Sequence, residues 1–516
     1  MHLMLSKKPS GTYATAANSV RGEDGKSVKV DKIYLGKVID LEKGIFESKE
    51  RGLFTFDVET GIFGDANLAE VPKKESRGKR TATLDFGNAY VFDRYLKDSG
   101  INACIDACGC QNPDTFRALL AYYVFADEPN SWASTWYDGN YAKLLYPSAD
   151  MDDRRISEFL RRLGSPDVRM EFFKSYIPLI CGKDPHSFII DSLGIPNSIH
   201  MPVTAISNHN GELSLEVRMI LVCRRTDRMP IYFRYVAGNI IDSSTLIRTA
   251  DELECMGLNI DYILMDAGYC TLQNLVALLE HHIGFVTRLK PNFTAFREMV
   301  RDNLGKLGPG TRVKHKDRFL RVYSEERALQ EGTGKVWFHL IRDEDAQYAE
   351  DKRIYEKWQE GRITEAERDE AYETSGLFIL VSSYWLSSED VIPTYFERGG
   401  IEQLIDTGRN SCRLSEAAVH SEEAMNGKWL IQFTALAVVR GMQNTITAAK
   451  QRMMASKRKN KDDIPGRNMC VDQALSALRN QKCDVFEKKI LPREKSKDVN
   501  TAYRLFGYES PRYLDR

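Results

Sequence analysis

An α/β fold built on a mixed sheet is what this chain predicts, and two observations carry the expectation. From residue 186 three successive segments read as strands, SFIIDSLGI, LSLEVRMILVCRR and MPIYFRYVAG. The pattern then switches to helix, strand, helix, strand in SSTLIRTADELECMG, DYILMDAGY, TLQNLVALLEHH and GFVTRLK. Three strands followed by alternating helices and strands suit a mixed sheet with helices on its faces. The order β-β-β-α-β-α-β is that of the ribonuclease-H-like fold.

Each element has a local reason. Thr226-Asp227-Arg228 forms a tight turn between the second and third strands. Ser243 or Ser244 supplies an N-cap for the first helix, and Gly257 marks its end. SFIIDSLGI is a short apolar run broken by Asp191. Residues 291–375 interrupt the core as a β-rich insertion, with TRVKHKDRFLRVYSEE, KVWFHLIRDED and a charged helical stretch from 346 to 374. GLFILVSSYW then resumes the core, and Ser387-Ser388-Glu389-Asp390 caps the helix that follows. The expected layout is a β-rich N-terminal region (1–65), a basic linker (66–82) and a helical domain (83–180) punctuated by Pro113 and Pro166. The two parts of the core (186–290 and 376–445) flank the insertion. A basic linker and a C-terminal region of weak helical character (446–516) complete it.

With 72 Lys and Arg against 73 Asp and Glu, the net charge is -1 and does not advertise a nucleic-acid partner. Basic character is local instead. Lys73, Lys74, Arg77, Lys79 and Arg80 form one patch, and Arg452, Lys457, Arg458, Lys459 and Lys461 another. A solvated loop is the ordinary reading of each. No run of 18 apolar residues occurs, so no membrane span is expected. The ten cysteines show no disulfide framework and fit a reducing cytoplasm. Cys104, Cys108 and Cys110 cluster in NACIDACGC, a spacing uncommon for zinc, and read as buried small apolar residues.

The segment YFERGGIEQLIDTGR carries the most chemistry. Tyr395, Arg398, Glu402 and Arg409 fall within roughly 60° of one another on a single helix. A phenol, two guanidiniums and a carboxylate on one face suit a phosphate chain held beside a hard cation. The ordinary alternative is a solvated amphipathic helix, and Gly399 and Gly400 weaken it. Phosphoryl transfer without a covalent enzyme intermediate calls for carboxylates converging from separate elements. Asp191, on the first core strand, and Asp266, at the end of the fourth, sit on strands that are neighbours in this topology. Glu402 is the third candidate.

These residues carry a resemblance. The spacing Y-x2-R-x3-E-x6-R resembles the Y-x2-R-x3-E-x6-K signature of DDE transposases of insertion sequence family four, with Arg409 where the family has Lys. Asp266-Ala267-Gly268-Tyr269 resembles the family's second-aspartate motif, Thr287-Arg288-Leu289-Lys290 the strand after it, and Asp191-Ser192 the first-aspartate motif, with Asp184 as the fallback. LGKVIDLEKGIFESKERG resembles the start of the 1634-like branch, and His420 and Gly427 also look familial. The resemblance implies a cut-and-paste transposase in which Asp191, Asp266 and Glu402 hold two Mg²⁺ ions, with Mn²⁺ substituting. Tyr395, Arg398, Arg409, Arg288 and Lys290 would contact DNA, and Trp337 and Trp385 are candidates for stacking a flipped base, with core packing as the alternative. It further implies double-stranded partners (terminal inverted repeats bound by the helical domain, and target DNA), a homodimer on DNA, and a cytoplasmic, nucleoid-associated location. A metal-dependent nuclease of the same fold and a non-catalytic DNA-binding derivative remain the other readings.

Overall fold

The computed structural model describes residues 1–8, 11–21, 27–66, 80–182, 186–208, 212–330, 332–415, 417–456 and 466–516. Lys73, Lys74, Arg77, Lys79, Lys457, Arg458, Lys459, Lys461 and Asp184 lie outside these residues. The chain divides into two compact units, Met1–Lys79 and Arg80–Arg516.

In the first unit, six strands pair antiparallel in sequence order, from His2–Lys8 to Phe63–Asp65. One face gathers a small core of Ala14, Ala16, Leu35, Phe46, Phe54 and Phe56. Alternation brings Ala14 with Ala16 and Phe54 with Phe56 into it, because residues two apart share a face.

The second unit is built on a ten-stranded mixed sheet. Its strands are β1 (His186–Pro196), β2 (Ser214–Arg224), β3 (Pro230–Ala237), β4 (Ile260–Met265), β5 (Gly284–Leu289), β6 (Arg312–His315), β7 (Arg318–Ala328), β8 (Lys335–Asp343) and β9 (Leu377–Ser382). The spatial order is β3-β2-β1-β4-β5-β9-β8-β7-β6, and a short strand, Ala205–Ser207, pairs with β2. The neighbours β1, β4 and β5 are parallel; β2 and β3 are antiparallel additions on one side. This arrangement is consistent with the ribonuclease-H-like fold. Beyond β5 every pairing is antiparallel, so the three strands of residues 312–343 continue the same sheet.

Helices α1 (Leu246–Cys255) and α2 (Leu272–Glu280) occupy the crossovers between β3, β4 and β5. The cap of α1 is Thr245, not Ser243 or Ser244, because Asp242–Ser244 first makes a turn of 3₁₀ helix. Helices α3 (Ser388–Phe396), α4 (Gly399–Ser411) and α5 (Glu422–Ser456) follow the sheet. The apolar stretch WLIQFTALAVVRGM forms the middle of α5. There Phe433 meets Phe173, Tyr176 and Phe233 with ring centroids 5.4–5.7 Å apart. These contacts join the helices between Gly87 and Cys181 to β3 and α5 in one continuous core. Helix Asp153–Leu163 shows how: Ile156, Phe159, Leu160 and Leu163 fall on one side and are buried. Asn112 caps its helix through Thr115 N, while Pro113 and Pro166 occupy first-turn positions, where a missing N–H is harmless.

The C-terminal region differs from the weak helical expectation. It holds helices Val471–Arg479 and Lys497–Phe506 and three strands that, with Arg80–Asp85 at one edge, form a separate four-stranded sheet. The pairing of Lys482–Phe486 with Arg80–Asp85 spans about four hundred residues, which no local pattern reports. Among the described residues no helix is long and apolar enough to cross a membrane.

A buried polar chain crosses the sheet beyond β5. His339 Nδ1 lies 2.7 Å from Ser324 Oγ and Nε2 lies 2.9 Å from Ser382 Oγ. Burial pushes the imidazole down to about 4. The folded chain therefore holds His339 neutral while the unfolded chain takes up a proton below about 6.5. Stability falls as pH drops through this window, reaching roughly 3 kcal/mol lost by pH 4 from this residue. Thermal melts of wild type and His339→Asn between pH 7 and pH 4 will show a steeper acid loss in wild type.

Candidate active site

The site begins with strand register. β4 ends at Met265, which pairs with Ile190 of β1. Asp266 and Asp191 are each the next residue, so they stand level on adjacent parallel strands. Asp191 does not end its strand: β1 runs on to Pro196, held on its other side by β2. It reaches the strand ends of its parallel neighbours only because β1 is longer than β4.

The third carboxylate arrives from a helix pair. Tyr395, Arg398, Glu402 and Arg409 do not share one straight helix. α3 is capped by Ser387, whose side chain accepts from Asp390 N at 3.1 Å, and it contains Pro393. It ends at Phe396, and the chain passes through a tightened turn in which Arg398 N donates to Tyr395 O, Gly400 N to Glu397 O and Ile401 N to Arg398 O. Arg398 then caps α4, and Glu402 lies in its first turn. Gly400 permits a close approach: a Cβ there would lie 1.9 Å from Arg228 Nε.

The turn delivers Arg398 into the centre of the carboxylates. Its Nη2 is 2.8 Å from Glu402 Oε1, its Nη1 is 3.5 Å from Asp191 Oδ2, and its Nε is 3.7 Å from Asp266 Oδ1. One guanidinium against three carboxylates leaves a formal excess of negative charge. Asp191 is the most enclosed, with 17% of its side chain exposed against 42% for Asp266 and 55% for Glu402. Burial pushes the Asp191 carboxyl up to about 6, with Asp266 and Asp242 adding to the rise and Ser192 N–H and Arg398 opposing it. Burial likewise raises the Tyr395 phenol, and the nearby Asp266 charge adds to it.

Asp266, Arg288, Lys290, Tyr395, Arg398 and Glu402 line a cleft of about 500 Å³. Arg288 lies over the Phe378 ring at 5.1 Å, and Lys290 Nζ donates to Gly268 O at 3.4 Å. The cleft thus has an acidic centre and a basic rim. The oxygen-only donor set at its centre suits hard divalent cations. Arg409 is not part of it. Seven residues past Glu402 along α4, it lies roughly 10 Å away and is exposed. Trp337 and Trp385 pack edge to face at 6.5 Å and lie outside the cleft lining, with Trp385 exposed. Cys104 and Cys108 are buried and Cys110 half-buried, and burial pushes the Cys104 thiol up to about 11. Among the described residues the three-membered group whose ligand atoms come within 4.8 Å of one another is Asp251, Glu254 and His281, half-buried to exposed and not part of the cleft lining. Sequence reasoning missed Asp242 and Arg218, which bond to one another and, through Asp242, to Ser192 beside Asp191. DSS after β3 carried only a capping signal.

Residues 197–438 match the family model of the transposase DDE domain. The matched segment contains Asp266, Tyr395, Arg398 and Glu402, and Asp191 lies just before its start. The match supports a DDE transposase. Among solved structures the chain is similar to a cryo-EM structure of a piggyBac transposase synaptic complex with hairpin DNA. Identity is 12% and the TM-score 0.40, over 76% of this chain and 80% of that one. No curated protein matches the chain in sequence.

Because the fold raises the proton affinity of Asp191, its ionisation lowers stability as pH rises from about 4 through 6. By pH 7 the loss is on the order of 3 kcal/mol. Asp191→Asn should therefore melt higher than wild type at pH 7, with the gap closing as pH falls toward 4.

Proposed function

We propose that the chain is a DDE transposase of insertion sequence family four, in its 1634-like branch, that excises an element from DNA and joins it to a target. The observation that carries this reading is the meeting of Asp191, Asp266 and Glu402 around Arg398, beside a cleft lined by Arg288 and Lys290. Asp191, Asp266 and Glu402 would hold two Mg²⁺ ions, with Mn²⁺ substituting. When bound, the ions would activate the attacking oxygen and stabilise the leaving one.

The protein's own residues do the positioning. Arg398 is the cation that balances the carboxylates, and it turns its fork toward a phosphate when that charge is met by other means. Tyr395, Arg288 and Lys290 border the same cleft and hold the phosphates on either side of the scissile bond. Arg409, further along α4, contacts the backbone beyond the cleft. The enclosure that raises the Asp191 pKa also limits water at the reacting centre. The partners are the terminal inverted repeats, recognised by the helical region before β1 and the basic linkers, and the target duplex. Two copies pair two DNA ends, in the cytoplasm at the nucleoid.

The test is cleavage and strand transfer on DNA carrying the repeats that flank the coding sequence, with Mg²⁺. Glu402→Gln should reduce both to background; undiminished activity in that variant would sink the site assignment. Cleavage without joining in wild type would mark a nuclease instead. In salt titrations of DNA binding, Arg288→Ala should weaken affinity and lower the slope of log K against log salt by about 1.

A further inference from the structure

Asp242, in the turn after β3, has no part in the chemistry above, yet it bonds to the strand bearing Asp191 and lies beside the turn that follows Asp266. Its Oδ1 accepts from Ser192 Oγ at 2.6 Å and from Arg218 Nη1 at 3.0 Å. Ser192 follows Asp191 on β1 and points to the opposite face of the strand. Its cross-strand partner on β2 is Ile220, two residues from Arg218, so Arg218 and Ser192 share that face. Arg218 is itself buried. On its other side Asp242 meets the turn that follows Asp266: a Cβ on Gly268 would lie 3.0 Å from Asp242 Oδ2. Asn274 ties the two turns together, its Nδ2 donating to Ser243 O at 2.7 Å and to Tyr269 O at 2.8 Å. One shielded carboxylate thus abuts the residue after the first aspartate and the turn bearing the second.

We propose that Asp242, anchored by Arg218, is a positioning residue that holds Asp191 and Asp266 at their mutual spacing from behind the sheet and so sets the affinity of the site for divalent cations. The inference rests on the proposed metal-binding role of those aspartates. Stability alone is a poor reason for the arrangement, because a largely buried ion pair adds little over apolar packing. An apolar side chain would accept neither from Ser192 nor from Arg218. Partners behind a ligand commonly change metal affinity about 10–100-fold.

The experiment is Mn²⁺ titration of the full chain, reading free Mn²⁺ by electron paramagnetic resonance, with a thermal melt of each variant. Asp242→Ala is expected to weaken Mn²⁺ binding about tenfold or more. Asp242→Asn, whose amide oxygen still accepts from Ser192, should restore affinity to within about threefold of wild type. Ser192→Ala and Gly268→Ala disturb the same contact from either side with little effect on folding, and both should weaken binding. The Asp242→Ala/Ser192→Ala double variant should be no worse than Asp242→Ala alone, because both act through one hydrogen bond. Wild-type Mn²⁺ affinity in Ser192→Ala and Gly268→Ala, alongside lost binding in Asp191→Asn, would overturn the positioning role alone. Unchanged Mn²⁺ binding in Asp191→Asn and Glu402→Gln would overturn the metal-site reading on which it stands.

Discussion

The constraint on which the site depends is the electrostatic meeting of Asp191, Asp266 and Glu402 around one guanidinium. Three carboxylates drawn from a strand, a strand end and a helix repel one another, and burial makes that repulsion costlier. Arg398 offsets part of it, while burial first, and the Asp266 and Asp242 charges after it, hold the Asp191 carboxyl above its ordinary pKa. Unrelieved negative charge of this kind is what a site for hard cations requires before it binds them. Stability and function pull in opposite directions here, as active-site strain commonly does.

The rest of the second unit can be understood as what keeps those charges in place. The β1–β4 register puts the two aspartates level. Antiparallel β2 extends β1 past the end of β4, so that Asp191 is enclosed while Asp266 stays more open. The strands from β9 to β6 lengthen the sheet behind the basic rim, and Phe378 of β9 supports Arg288. The long helix α5 binds the helices before β1 to the sheet through Phe433. Forces on either side of the cleft are thus transmitted through one continuous core.

Much of the candidate site was legible in the residues. Asp266 was visible because a polar residue closing the apolar run Ile263-Leu264-Met265 needs a partner. Glu402 and Arg398 were visible because their spacing places them together on any helical turn. Arg409 shares a face of α4 with Glu402, but seven residues of helical rise carry it roughly 10 Å along the axis and out of the cleft lining, which spacing by angle alone does not register. Pro393 and the Gly399-Gly400 pair carried the warning of a break between α3 and α4, while the approach of Arg228 to Gly400 comes from a distant turn. Asp242 was illegible, since its partners Ser192, Arg218 and Gly268 come from three other elements.

By itself the sequence determined the strand and helix order of the core and the alternation within the strands of the N-terminal sheet, and it nominated the candidate carboxylates and cations. Each of these depends on side-chain chemistry and on periodicity over a few residues. Only the tertiary structure decided that β1 outruns β4, that residues 312–343 extend the same sheet, that the chain's end pairs with Arg80–Asp85, and that Arg398 stands at the centre of the carboxylates. Those outcomes are set by contacts between residues tens to hundreds of positions apart, where packing and charge balance act across elements and local pattern carries no information.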